Sequence, residues 1–255
     1  MFQVVVTPAA GKRLIGKAVA QLPAIRSALE SRTVVVVAGT TNGYVAHQLL
    51  AAIGQDEGFC RERFFRGITM PPAEPTTKTG RLPDTSEFPG DVVITKGQWQ
   101  RGKTIFDIVN DLTGGDVICK GANAVDPARR RAGILIGDSK CGTIGAALQA
   151  AIGRRVRLIL PVGLEKRVSA DPYDLAARLN DPDAKGPRML PAPGEVVTEI
   201  EALAILTGAQ AELVAAGGVC GAEGAVWLAI TGTPAQEQAA KELMDVVGDE
   251  PPFGS

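Results

Sequence analysis

Short runs of β-branched and other apolar residues alternate along the chain with longer segments of helical period. This is the rhythm of a mostly parallel sheet covered by helices on both faces. The strand-like runs are Phe2–Val6, Thr33–Ala38, Asp91–Thr95, Asp116–Cys119, Ala132–Ile136 and Val156–Pro161. Helices are predicted over Arg13–Glu30, Gly43–Ile53, Thr104–Leu112, Thr143–Ile152 and Pro172–Leu179. The first should kink or restart near Pro23, which has no amide hydrogen to give. The expected fold class is α/β, a doubly wound sheet with a small α+β layer after it.

Two stretches break the rhythm. Residues 59–89 gather Pro71, Pro72, Pro75, Pro83 and Pro89 beside Thr76, Thr77 and Thr79, and read as an irregular surface excursion, either a lid or a covering loop. Residues 181–194 are again rich in proline and glycine and read as a linker between a main domain, 1–180, and a smaller unit, 195–250. That unit should comprise a helix over Glu195–Leu206, strands at Ala211–Ala216 and Ala225–Ile230 around a glycine-rich turn, and a closing helix over Pro234–Val247.

With 255 residues the chain can bury a sizeable core. A net charge of −1 and few aromatic side chains give no basis for nucleic acid as a partner. No apolar run approaches the twenty or so residues that cross a bilayer, and the opening Met-Phe-Gln-Val-Val-Val has no basic leader, so the expectation is a cytoplasmic protein without a membrane partner. Cys60, Cys119, Cys141 and Cys220 are widely spaced, which points to reduced, mostly buried thiols. His47 is the sole histidine and reads as a packing residue, so no metal or other cofactor is expected.

Three loops carry candidate chemistry. Gly39, Thr40, Thr41, Asn42 and Gly43 join a strand to a helix start, where free amides suit a phosphate or carboxylate. The loop lacks the glycine spacing of a dinucleotide fingerprint and the Gly-Lys-Ser/Thr ending of a P-loop. Lys120, Gly121, Asn123 and Asp126 follow a buried-looking strand, at the carboxyl edge where α/β sheets usually hold ligands, although Asn123 and Asp126 also suit a turn that caps its own backbone. Asp138, Lys140, Gly142 and Thr143 form a third strand-to-helix loop, in which Asp138 is either a base or a helix cap. Arg129 directly follows the second loop and is a candidate ligand contact, whereas Arg154–Arg157 reads as a solvated face and Glu165-Lys166-Arg167 as a gate on the same edge.

In their order along residues 30–165, the Gly-Thr-Thr-Asn-Gly turn, the later Gly-Ala-Asn-Ala-Val-Asp and the Gly-Thr-Ile-Gly turn resemble the superfamily of ribose-5-phosphate isomerases, glucosamine-6-phosphate deaminases and CoA transferases. The resemblance implies an anion held by Gly39–Gly43. Where the isomerases carry an acidic pair, Asn123 and Ala124 stand, leaving Asp126 or Asp138 to move a proton. The position of a CoA-transferase glutamate would fall to Glu223. Two functions follow as expectations: an isomerase- or transferase-type enzyme acting on a phosphorylated sugar or acyl-CoA-like anion, or a noncatalytic protein that binds such a ligand. Homo-oligomerisation is expected of either.

Overall fold

The computed structural model describes residues 1–71, 74, 75, 77, 80, 81 and 89–253. The chain runs β1 (Phe2–Val6), α1 (Pro8–Gln21), α2 (Pro23–Ser31), β2 (Thr33–Val36), α3 (Thr40–Ala52), β3 (Val92–Thr95), β4 (Gln98–Trp99) and α4 (Ile105–Ile108). It continues through β5 (Val117–Cys119), β6 (Ala124–Asp126), β7 (Arg131–Ile136), α5 (Gly142–Arg154), β8 (Arg157–Pro161), α6 (Pro172–Leu179) and β9 (Arg188–Ala192). It closes with β10 (Glu195–Val197), α7 (Glu199–Thr207), β11 (Gln210–Ala216), β12 (Val226–Thr231) and α8 (Pro234–Gly248).

The architecture is mixed α/β. A six-stranded sheet has the order β10-β8-β5-β2-β3-β4, in which β10, β8, β5 and β2 are parallel, β3 runs against β2, and the short β4 pairs antiparallel with β3. Its central strands read as unbroken apolar runs because both faces are covered. Val34, Val36, Cys119 and Ile159 enter one core with α1 and α3, while Val35, Val37, Ile118, Leu158 and Leu160 enter the other with α4 and α5.

Helix boundaries follow local chemistry. Thr7 caps α1 by accepting from the Ala10 amide at 3.2 Å, with Pro8 in the first turn, where its missing donor costs nothing. Pro23 restarts the helix as α2, as its position predicts. Leu14, Ile15, Ala18 and Val19 form the buried stripe of α1. Gly16 on the same helix lets it approach α3 so closely that an added Cβ would lie 2.9 Å from the Tyr44 carbonyl carbon.

Several strands pair differently from their expected places. Phe2–Val6 does not join the main sheet but pairs antiparallel with β12, completing a three-stranded sheet of order β1-β12-β11. Ala132–Ile136 likewise belongs to a separate antiparallel sheet, β6-β7-β9, whose third strand lies inside the stretch expected to be a linker. The helix expected from Glu195 begins only at Glu199, because Glu195–Val197 first adds a strand to the edge of the main sheet. Local apolar pattern identifies a strand but not its partner, which is chosen by tertiary packing.

Of the 59–89 excursion, Pro72, Thr76, Thr79 and Pro83 lie outside the described residues. Its described part is anchored: Phe64 is fully buried in the α1–α3 core, and its carbonyl accepts from the Gly39 amide at 3.2 Å. The thiols depart from expectation, since Cys119 alone is buried while Cys141 and Cys220 are exposed. No helix of the described residues is long and apolar enough to cross a membrane.

Candidate functional site

The carboxyl ends of β2, β5, β8 and β10 lie side by side, and each leads into a segment bearing polar or charged groups. From β2 the chain passes through Gly39 into α3. Gly39 supplies no side-chain acceptor to the first turn of the helix, and a Cβ placed on it would meet nothing within 4 Å. Thr41 and Asn42 are both buried there. The Asn42 amide donates to the Val37 carbonyl at 2.7 Å and to the Cys119 carbonyl at 3.0 Å, tying the helix start to the ends of β2 and β5. Its own Oδ1 is buried without a hydrogen-bond partner among the described residues. Asn42→Ala is therefore expected to cost about 2 kcal/mol, since two buried carbonyls lose a donor. A melting temperature within a degree of wild type would contradict this.

Lys120 follows β5 and is partly buried, its Nζ donating to the Gly121 carbonyl at 3.3 Å. Burial pulls its pKa down to about 8; Asp91 opposes this fall, and Lys166 and Arg66 add to it. Asp91 enters from the head of β3, fully buried, with one oxygen accepting from the Ala38 amide at 2.9 Å and the other from the Ile105 amide at 2.8 Å. Arg66 stands 3.5 Å from the first of these oxygens.

Beyond β8 come Glu165 and Lys166. Lys166 Nζ reaches the Thr41 hydroxyl at 3.5 Å and lies 3.9 Å from Glu165 Oε1, as does Lys12 from α1. Burial also lowers the Lys166 pKa, with Lys12 adding to the fall while Glu165 and Glu199 oppose it. Both Glu165 oxygens are shielded from solvent without a hydrogen-bond partner among the described residues. Glu199, in the first turn of α7, is buried and accepts from the Leu164 amide at 2.9 Å. Burial, reinforced by the neighbouring Glu165, pushes its pKa up to about 8. Room for the two carboxyls comes from Gly163 and Gly11, where any Cβ would collide with Glu165 and Glu199 respectively.

The site residues expected from sequence thus fall into two groups. Gly39–Gly43, Lys120 and Gly121 share one sheet edge with Glu165 and Lys166. The groups that act electrostatically on Lys120 are Asp91, Lys166 and Arg66, and neither Asp126 nor Asp138 is among them. Asp126 accepts from the Arg129 amide at 3.1 Å and pairs with the Arg129 guanidinium at 2.7 Å, which lowers its pKa. Asn123 accepts from the Leu135 amide at 3.0 Å and so braces β7. Asp138 accepts from the amides of Lys140 and Gly142, capping the turn into α5, where Lys140 is exposed and Thr143 partly buried. Glu223 is exposed and caps its own turn through the Gly221 amide, and His47 is exposed on α3 rather than packed.

Asp91, Glu199 and Lys12 were not expected at this site. A signal for Glu199 does exist: the Thr198-to-Glu201 spacing is a capping box, which fixes the helix start and sets Glu199 just past a strand end. At the opposite edge of the sheet, an open depression of about 390 Å³ is lined by Ala24, Ser27, Gly115, Val117, Arg155 and Arg157 and contains none of these groups. No group of metal-binding side chains occurs among the described residues. Comparison with family models, with curated proteins and with solved structures finds no match.

Proposed function

We propose that the chain is an enzyme of isomerase or transferase type acting on a small phosphorylated or similarly anionic ligand, bound at the carboxyl edge of the main sheet. The observation that carries the reading is one cluster: an α3 first turn without a side-chain cap, Lys166 touching that turn through Thr41, and a buried carboxyl pair next to Lys166. Helix amides and a lysine favour an anion. A carboxyl kept protonated near neutral pH beside a second carboxyl is suited to giving and retrieving a proton. The proton-moving role read for Asp126 and Asp138 passes in this proposal to Glu165 and Glu199. We also infer kinship with the sugar-phosphate isomerase and CoA transferase superfamily, a doubly wound sheet, a cytoplasmic setting and an oligomeric state. The order of loops along the chain supports the kinship, and the placing of α1 and α3 on one face of the sheet with α4 and α5 on the other supports the winding; the setting and the oligomeric state rest on analogy with α/β enzymes of this size.

The noncatalytic alternative draws on the turn-capping roles of Asp126 and Asp138, which leave the expected acids committed to their own backbone. Thermal-shift and calorimetric titration with inorganic phosphate, ribose 5-phosphate and coenzyme A test the proposal, because a ligand that binds the folded state raises its stability. Phosphate or sugar phosphate should stabilise the wild-type protein, and Lys166→Met should weaken that binding by about tenfold. No stabilisation by any of the three would overturn the anion site. Sugar-phosphate binding with no exchange of ligand carbon-bound hydrogen into deuterated water would favour the noncatalytic reading.

A further inference from the structure

Lys120 follows the central parallel strand β5 without a carboxylate partner for its ammonium group. Among the described residues no carboxylate lies within ion-pair distance of Nζ, and its hydrogen bond goes to the carbonyl of its own neighbour, Gly121. Asp91, the acid whose charge reaches it, is already committed to the Ala38 and Ile105 amides and to Arg66. Lys166 and Arg66 add positive charge on the same edge. A partly buried amine so placed sheds its proton at lower pH than an exposed lysine does, so a larger fraction carries a free lone pair on nitrogen at mildly alkaline pH. The turns after β2 and β5 leave open space on this edge: a Cβ on Gly39 would meet nothing within 4 Å, and one on Gly121, the residue after Lys120, only the Pro161 carbonyl at 4.0 Å.

We propose that Lys120 forms an imine with the carbonyl carbon of a small ligand whose anionic group is held by Lys166 and the start of α3. The proposal rests on the anion site for its orientation and adds a covalent step. The Nζ lone pair adds to the carbonyl carbon, and the carbonyl π pair moves to oxygen. The two amine hydrogens then leave with that oxygen as water, so no oxidant or reductant is consumed. Protonated, the imine draws electrons from the adjacent carbon and makes its hydrogen easier to remove.

Reductive trapping with cyanoborohydride, followed by peptide mapping, tests the step on the wild-type chain. Glyceraldehyde 3-phosphate and glyoxylate serve as the phosphate and carboxylate probes, with uncharged glyceraldehyde as control. Lys120 should be the principal lysine modified, with a rate that rises as pH passes through about 8. At least one anionic probe should label it about tenfold faster than glyceraldehyde, because the anchored anion raises the local concentration of the carbonyl. Inorganic phosphate should protect it. Labelling spread over exposed lysines with Lys120 unmodified overturns the imine, and if phosphate still stabilises the protein the anion site survives that failure. Equal labelling of Lys120 by all three probes overturns the anchoring by Lys166 and α3. Absence of both labelling and phosphate stabilisation removes both proposals.

Discussion

Gly16→Val is expected to lower the melting temperature by about 10 °C, reflecting a loss of about 3 kcal/mol in a chain of this size. Helix propensity predicts the opposite sign, because glycine inside a helix is the poorer residue by several tenths of a kcal/mol. Packing decides against propensity here. Even a bare Cβ at Gly16 would stand 2.9 Å from the Tyr44 carbonyl carbon and 3.0 Å from the Tyr44 Cβ, and valine adds two methyls to that contact. The neighbour is helix backbone, which cannot rotate aside as a side-chain end would. Tyr44 sits just after Thr41 and Asn42, so pushing α3 away also shifts the proposed anion site, and on that proposal phosphate affinity should fall at temperatures where the variant is still folded. Thermal denaturation by circular dichroism measures the first effect, and a Gly16→Val protein as stable as wild type would show that α1 and α3 do not depend on this approach.

The second large effect depends on pH. Glu199→Gln should leave stability near pH 4 unchanged and raise it by roughly 5 kcal/mol above pH 8, or about 10–20 °C in melting temperature. The sign follows from a folded-state pKa raised to about 8, far above the ordinary value near 4.5. Below about pH 4 the carboxyl is protonated in both the folded and unfolded chains and contributes nothing to their difference. Between pH 4 and 8 the unfolded chain releases its proton while the folded one retains it, so this group lowers stability steadily as pH rises, and the loss is complete above 8. Glutamine can still accept from the Leu164 amide but carries no charge to bury. A wild-type-to-variant gap that does not change with pH would show that Glu199 is not kept neutral by its surroundings. In the proposed role, Glu199 weakens the fold at the pH where it would act, the usual stability cost of an active-site acid.

How much could be read in the chain depends on the range of the interactions. The runs Thr33–Ala38, Asp116–Cys119 and Val156–Pro161 were legible because buried parallel strands need continuous β-branched and aliphatic residues. Phe2–Val6 and Ala132–Ile136 have the same local pattern but pair with β12 and with β6 and β9, a choice made by packing across the molecule. At the site, the glycine turn after β2 and Lys120 after β5 could be found, since strand-to-helix turns carry their own signature. Glu165 and Glu199 meet through segments 34 residues apart in the chain, and Asp91 joins from a third, so no local motif unites them. Asp126 and Asp138 show the converse: an aspartate that caps its own turn has the same local sequence setting as one aimed at a ligand, so only the folded chain shows their backbone bonds.

The pairing of β1 with β12 couples Phe2 to Ile230 across more than two hundred residues. On a ribosome, the first strand emerges long before its partner exists, and α1 emerges with it, its apolar stripe only partly covered until α7, β12 and α8 arrive. The more than two hundred residues between the two strands are therefore synthesised while the edge of β1 that β12 later pairs is unsatisfied, which exposes that edge to mispairing until β12 is made.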